Sequence, residues 1–136
     1  MRKLLSVMCL AMLGLVACGG GEQQAAPNAN VTLAPVPAEY AGLTNPLGPE
    51  SGEPGAEVFR TNCEMCHGSQ GHGDGPAGQS LQPRPGNLAA IQANAGDDYL
   101  FWRIHDGKPG TSMVAWKGIL SDEQIWQAIS FIRTLK

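Results

Sequence analysis

Cys63, Cys66 and His67 form the pattern C-x-x-C-H, which combines two reactive thiols with a metal-ligating imidazole. Two thiols three positions apart can be bonded to the two vinyl groups of one haem, and the adjacent imidazole can ligate the iron. A structural zinc site would need four ligands, and only His72 and His105 could join the motif, at unusual spacings. A redox dithiol would need a βαβ context, which the sequence lacks. The pattern therefore predicts a single covalently attached haem c.

The second axial position of the iron needs a ligand from elsewhere in the chain, and we predict that Met113 supplies it. Met113 lies in an irregular stretch before the last predicted helix, where a loop can wrap across the haem. A thioether stabilises ferrous iron, and His/Met ligation raises the reduction potential. Met113 could instead be a core residue. Three further residues are less well placed as alternatives: Met65, His72 and His105.

Five more residues are candidates for contacts around the haem. A backbone carbonyl of Pro83 or Pro85 could accept the Nδ1–H of His67 and so fix the imidazole ring. Ordinary turn prolines are the alternative at both positions. The other candidates, for contact with the haem propionates, are Trp102, Arg103 and Trp116. Among these, Trp102 could equally be a core residue.

A short helix is predicted directly before the motif. Residues 54–63 carry a proline in the first turn, and Gly55 and Phe59 lie on one face of this helix. After the motif, the chain is dominated by turns from Gly68 to Gly86.

Two more short helices are predicted between these turns and the Met113 loop. Residues 88–95 form one of them. Residues 99–106 form the other, with Asp97 or Asp98 as N-cap and Gly107 as the C-terminal stop.

The last helix has the clearest start in the sequence. Ser121 and Gln124 fit a capping box, with serine as the N-cap and glutamine at the third helical position. Apolar residues then repeat at helical spacing, at Ile125, Ala128, Ile129, Ile132 and Leu135. No segment alternates as a strand would, so the sequence predicts an all-α domain.

The N-terminal residues have the layout of a bacterial signal peptide. A basic start precedes an apolar run from Leu4 to Val16, which is too short to span a bilayer. Cys18 follows closely, and the stretch resembles the lipobox of bacterial lipoproteins, which implies a lipid such as palmitate at Cys18. An ordinary signal peptide that contains a cysteine, or an uncleaved anchor, is the alternative. The predicted organisation is a signal peptide over 1–17, a lipid-anchored flexible linker over 18–52 and a haem-carrying domain over 53–136.

The predicted linker is rich in Gly, Pro, Gln, Ala and Asn and shows no sustained apolar periodicity. Such a segment buries too little surface to offset its ordering entropy, and as a loose coil it would span roughly 30 Å. One part of it is less polar and contains Tyr40, Leu43 and Leu47. This part could dock on the domain or on a partner, or it could be a slightly apolar linker.

The charge of the chain excludes some classes of function. Charged residues make up 15% of the sequence, and the full chain has a formal net charge of −3. Removal of the signal peptide would take away two basic residues and make the chain more acidic. An acidic chain with so few basic residues is not a nucleic-acid binder by electrostatics. Because no paired carboxylates or nucleophile–base pair suggest catalysis, we predict an electron-transfer protein and not an enzyme.

The domain resembles the small single-haem class I cytochromes c. The matching stretches are Gly55-x-x-x-Phe59, Cys63-x-x-Cys66-His67-Gly68, Gly73-Asp74-Gly75-Pro76, the Met113 loop and residues 125–135. The resemblance implies three to five short helices around one haem, with Gly55 and Phe59 meeting Phe131 where the first and last helices cross. Many members have a proline directly after the axial methionine, whereas this chain has Val114.

Residues 40–47 and 100–104 are also similar to membrane-tethered cytochrome c lipoproteins, including the single-haem subunit of alternative complex III. The resemblance implies single-electron transfer in a respiratory or photosynthetic chain. The implied partners are membrane-bound electron donors and acceptors, above all a quinol-oxidising complex. The implied location is extracytoplasmic, at the periplasmic face of the inner membrane. A free-swinging electron shuttle is the alternative, and a haem-based ligand binder or sensor is a further one.

Overall fold

The computed structural model describes residues 32–136, which form short helices joined by long loops. The helices are α1 (Gly52–Asn62), α2 (Glu64–His67), α3 (Leu88–Gln92), α4 (Asp97–Asp106) and α5 (Asp122–Ile132), with 3-10 turns at Pro49–Ser51 and Gly78–Ser80. Because this part of the chain contains no β-strand, the prediction of an all-α fold with three to five short helices is confirmed. None of these helices is long and apolar enough to cross a membrane. The predicted signal peptide and Cys18 lie outside the described residues.

α1 and α5 cross in direct contact at a glycine. A methyl group on Gly55 would overlap the backbone carbonyl of Gln127 and would lie 3.2 Å from the Cβ of Phe131. One turn further along α1, Phe59 is buried, and its ring centroid lies 5.0 Å from that of Phe131. The predicted meeting of Gly55 and Phe59 with Phe131 is therefore confirmed. The absence of a side chain at Gly55 determines how closely the two helices approach.

α5 begins as predicted and packs against α4. The hydroxyl of Ser121 accepts a hydrogen bond from the backbone of Gln124, whose side chain accepts one from the backbone of Ser121 in return. The ring of Phe101 on α4 stacks on Trp126 of α5 with 4.3 Å between centroids. The buried core consists mainly of apolar side chains from these two helices: Leu100, Phe101, Ile104, Ile125, Trp126, Ala128, Ile129 and Ile132.

The C-terminal end of α5 is joined to the start of α4 by Arg133. α5 ends at Ile132, before the predicted Leu135, and the Arg133 guanidinium bonds the Asp97 carboxylate at 2.6 Å. It also donates to the backbone carbonyls of Gln92 and Ala95. Asp97 is the first residue of α4, so neither Asp97 nor Asp98 is its N-cap as predicted. The Asp97 carboxylate is used in tertiary contacts instead of capping its own helix.

Residues 32–47, which we call the N-terminal strap, lie against the helical domain. Leu33, Tyr40 and Leu47 pack on the core. The backbone of Asn45 donates to Asp97, and its side-chain amide donates to the carbonyl of Trp126 at 3.0 Å. Of the possibilities that the sequence leaves open for this stretch, the structure shows docking on the protein's own domain.

We predict that Gly55→Ala lowers the free energy of unfolding by about 2 kcal/mol, because the new methyl group forces α1 and α5 apart. Gly52→Ala is the matched control, since Gly52 is also in α1 but a methyl group there has open space around it. That substitution should be neutral or stabilise by about 0.5 kcal/mol. Chemical denaturation of both variants, followed by circular dichroism, tests this. Equal stability of the two variants would contradict close packing at Gly55.

Candidate functional site

One cavity brings together the residues that could do chemistry. Its volume is about 270 Å³, several times the roughly 30 Å³ share of a liquid water molecule, so it can hold part of a larger group. Cys63, Cys66, His67 and Met113 all line it. The remaining lining residues are largely apolar and include Phe59, Leu81, Leu88, Ile104, Val114, Trp116 and Ile132.

The C-x-x-C-H motif occupies a tight helical turn directly after α1. The backbone N–H groups of Cys66 and His67 both donate to the carbonyl of Cys63, at 3.1 and 2.9 Å. The amide of Cys63 itself donates to Phe59 in α1. The glycine-rich loop then folds back on the motif, because the amide of Gly73 donates to the carbonyl of His67 at 2.8 Å. Local backbone bonds thus hold both thiols and the imidazole at the cavity.

Burial keeps Cys63 and His67 uncharged. Desolvation, helped by the neighbouring Cys66, raises the pKa of the Cys63 thiol to about 12. Desolvation also lowers the pKa of His67, and the backbone of Gly86 acts against this lowering. At neutral pH the His67 ring is therefore neutral, the form in which an imidazole offers a lone pair to a metal.

The Nδ1 atom of His67 is buried and has no hydrogen-bond partner among the described residues. One of the carbonyls of Pro83 and Pro85 was predicted to accept a bond from this atom. Both prolines line the cavity, but neither carbonyl accepts that bond. The backbone that influences the ring is that of Gly86, one residue further along. The prediction is therefore corrected: the backbone that interacts with the imidazole is that of Gly86, and not of Pro83 or Pro85.

The Met113 loop folds back on the end of α4. The carbonyl of Met113 accepts a bond from the amide of Lys108 at 3.0 Å, and its amide donates to the hydroxyl of Thr111. Gly107 has a φ of +71°, and a methyl group on it would lie 2.6 Å from the carbonyl oxygen of Met113. A glycine is therefore required where the loop turns back. The role of Thr111 was not predicted, although a hydroxyl two residues before the methionine is visible in the sequence.

The other potential iron ligands do not line this cavity. The Nε2 atom of His72 lies 3.3 Å from the carbonyl of Lys136, and His105 is engaged with Asp106. Met65 points away, with 62% of its surface exposed. Among the described residues, the only side chains with sulfur or imidazole donors at the cavity are Cys63, Cys66, His67 and Met113.

The structure separates the three residues that were predicted to contact propionates. Trp116 lines the cavity, but Trp102 and Arg103 are not among its lining residues. The Arg103 guanidinium lies 3.6 Å from the ring centroid of Trp102 and also covers Tyr99. Two cationic residues that sequence reasoning missed do line the cavity, Arg84 and Lys108. The only feature of the sequence that could have indicated Arg84 as a cavity residue is its position between two prolines.

The donor set and the surroundings fit a covalently bound haem. Two thiols can form the attachment bonds, while a neutral imidazole and a thioether are the two axial ligands of high-potential cytochromes. The apolar walls suit a large aromatic macrocycle.

Comparison with known protein families supports this assignment. The family model described as cytochrome c oxidase, cbb3-type, subunit III matches residues 50–132. A curated relative, the cbb3-type cytochrome c oxidase subunit FixPc of Rhizobium leguminosarum bv. viciae, is 34% identical over 96 residues. These residues are 69% of this chain but only 31% of the relative, so the chain spans about a third of that protein.

Solved structures with the same fold include c-type cytochromes. One belongs to the Kuenenia stuttgartiensis reducing HAO-like protein complex Kustc0457/Kustc0458, with a TM-score of 0.55 and 24% identity over 67% of this chain and 46% of that one. Another is the KustC0563 c-type cytochrome, with a TM-score of 0.50 and 23% identity over 60% of this chain and 96% of that one. At this level of identity the similarity concerns the fold alone.

We predict that Gly107→Ala displaces the Met113 loop. Gly110→Ala is the matched control, because Gly110 also has a left-handed φ, of +76°, but a methyl group there meets nothing within 4 Å. The left-handed conformation should cost each variant about 1–2 kcal/mol, and the overlap should cost Gly107→Ala about 1–3 kcal/mol more. Unfolding free energies measure the difference, and the NMR shifts of Met113 report the displacement. Unmoved Met113 signals in Gly107→Ala would contradict the prediction.

Proposed function

The chain belongs to the cytochrome c family whose model is described as cytochrome c oxidase, cbb3-type, subunit III, and on this premise we propose that it is a single-haem electron carrier. Haem c is covalently bound in this family, and Cys63 and Cys66 fit the attachment site. When bound, the haem supplies an iron that exchanges one electron between its ferric and ferrous states. His67 and Met113 are proposed as its axial ligands.

The observation that carries the proposal is the presence of His67 and Met113 at one cavity, which no other imidazole or thioether of the described residues lines. If His67 and Met113 both ligated the iron, an external substrate would have no open coordination position. This favours electron transfer over haem-based catalysis or ligand sensing.

The remaining cavity residues favour the same function. The apolar side chains of Phe59, Ile104 and Ile132 line the cavity and make its wall largely apolar. A low-polarity pocket disfavours the extra positive charge of ferric iron, and a thioether does the same by favouring ferrous iron. The chain thus supplies a pocket suited to a high reduction potential.

We expect Met113→Ala to lower the reduction potential and to open the iron to external ligands, because the thioether is lost. The ferric protein should lose the weak far-red absorption band of methionine–iron ligation, and the ferrous protein should bind CO rapidly. Met65→Ala is the matched control, since Met65 is exposed and does not line the cavity. Spectroscopy and redox titration of both variants decide the matter. An unchanged spectrum in Met113→Ala would remove Met113 from the ligand set.

We also propose that the protein is a lipoprotein, anchored through Cys18 at the periplasmic face of the inner membrane. The support is the signal layout together with the docked strap. Because residues 32–47 lie on the domain, only residues 18–31 separate the lipid from the strap. Fourteen residues reach at most about 50 Å when fully extended. A tether of this length favours electron exchange with a nearby membrane-bound partner over long-range shuttling.

Membrane-bound respiratory proteins are the proposed partners. The relative from Rhizobium leguminosarum is described as an oxidase subunit. The similarity of residues 40–47 and 100–104 to lipoprotein cytochromes points to a quinol-oxidising complex such as alternative complex III. We propose that a quinol-oxidising complex is the partner of this protein and donates electrons to it. An oxidase is the alternative partner.

The anchor and the partner can be tested together. Cys18→Ala should move the protein out of the membrane fraction and abolish the lipid mass detected by mass spectrometry. Cys9→Ala should change neither, because Cys9 lies within the apolar run of the signal. Pull-down of the unmodified protein from detergent-solubilised membranes should then recover a quinol-oxidising complex. Recovery of an oxidase alone would favour the alternative, and membrane retention of Cys18→Ala without lipid would exclude this anchor.

A further inference from the structure

Tyr40 connects the N-terminal strap to the end of α4. A turn at Pro37 places it there, because the amides of Tyr40 and Ala41 both donate to the Pro37 carbonyl at 3.0 Å. The Tyr40 ring then packs beside Phe101 and His105, with centroid distances of 6.2 and 5.7 Å. The strap is therefore joined at this point to the helix that precedes the Met113 loop.

The hydroxyl of Tyr40 completes a cluster around the carboxylate of Asp106. It donates to one carboxylate oxygen at 2.9 Å. The other oxygen accepts bonds from Nδ1 of His105 at 2.9 Å and from the ammonium group of Lys117 at 3.0 Å. Nδ1 of His105 also lies 3.0 Å from the Tyr40 oxygen, so the ring nitrogen is shared between its two neighbours.

The cluster joins the two ends of the loop that carries Met113. His105 and Asp106 are the last residues of α4, and Lys117 follows the loop. The backbone bonds converge on the same place, since the amides of Trp116 and Lys117 both donate to the carbonyl of His105. Asp106 is thus bonded at once to the strap, to the start of the loop and to its end.

The protonation states of Asp106 and Tyr40 suit this role. Burial alone would raise the pKa of Asp106, but hydrogen bonds from Lys117, His105 and Tyr40 outweigh it and lower the pKa to about 2. Burial and the bond to Asp106 raise the pKa of Tyr40 to about 12. At neutral pH a charged acceptor therefore faces a protonated donor, and such charge-assisted bonds are stronger than neutral ones.

We infer that Tyr40 is a positioning residue for Met113: through Asp106, the strap holds closed the base of the loop that carries the proposed axial ligand. This inference rests on the function proposed above only for the role of Met113 as a ligand. The closure of the loop by the strap does not depend on whether Met113 is a ligand. The segment that leads toward the proposed lipid anchor is thereby mechanically connected to the haem site.

Tyr40→Phe in the full-length, haem-loaded protein tests the inference, because it removes the hydroxyl and keeps the ring. The amides of Lys108, Trp116 and Lys117 should exchange with deuterium about tenfold faster, the effect of one lost hydrogen bond to a charged group. Imidazole, used as a competing iron ligand, should bind about tenfold more tightly. Unchanged exchange of these amides would overturn the closure of the loop by the strap. Faster exchange with unchanged imidazole affinity would overturn the positioning of Met113 by Tyr40.

Two further variants separate this role from general loosening. Tyr99→Phe removes the hydroxyl of a tyrosine in α4. Tyr99 packs against Trp102 and Arg103, away from the cluster, so this variant should leave both measurements unchanged. Asn45→Ala breaks the attachment of the strap to α5 and should leave the loop amides unchanged. If Asn45→Ala reproduced the effect of Tyr40→Phe, Tyr40 would have no specific positioning role.

Asp106→Asn provides a second test should Tyr40→Phe fold poorly, because it weakens the same cluster from the helix side. It should also speed exchange of the loop amides, and unchanged exchange would contradict the inference. Met113→Ala identifies which proposal fails. If that variant binds imidazole like the unmodified protein, Met113 is not a ligand, whereas exchange in Tyr40→Phe still reports whether the strap closes the loop.

Discussion

The close crossing of α1 and α5 is the packing contact on which the site depends. Gly55 lets the backbones approach, and Phe59 then packs beside Phe131. The motif starts at the residue after α1, and the amide of Cys63 is bonded to Phe59. The position of the haem-attachment turn therefore follows from the position of α1 on α5. A wider crossing would move both thiols relative to the wall that α5 and α4 provide.

The opposite end of the site is positioned through α4. Phe101 stacks on Trp126, and Arg133 bonds Asp97, so the start and the middle of α4 are attached to α5. The loop with Met113 then folds back on the last turn of α4 through backbone bonds and the close contact at Gly107. Residues distant in the sequence thus reach one cavity because each is attached locally to a helix that packs on α5. The positions of His67 and Met113, the two proposed axial ligands, both depend on α5, although neither residue lies on that helix.

The strap adds an element outside the helical domain that the family model matches, since that match begins at residue 50. Its contacts with α4 and α5 are mostly hydrogen bonds to carboxylates and backbone carbonyls, with a few apolar side chains between them. This pattern explains why composition alone suggested a linker: polar segments can be ordered when their bonds are made to partners in the folded domain. The strap also contributes the Tyr40 hydroxyl to the charged cluster at Asp106, beside the Met113 loop.

The sequence by itself determined the features that depend on neighbouring residues. The C-x-x-C-H turn, the capping box at Ser121 and the glycine that ends α4 follow from side chains a few positions apart, because their chemistry is local. The resemblance to class I cytochromes added the contact of Gly55 and Phe59 with Phe131. Only the tertiary structure decided the rest: the docking of Tyr40 on α4, the absence of Trp102 and Arg103 from the cavity, and the burial of the His67 Nδ1 atom without a hydrogen-bond partner among residues 32–136. Each of these depends on how distant segments pack together, which no local pattern encodes.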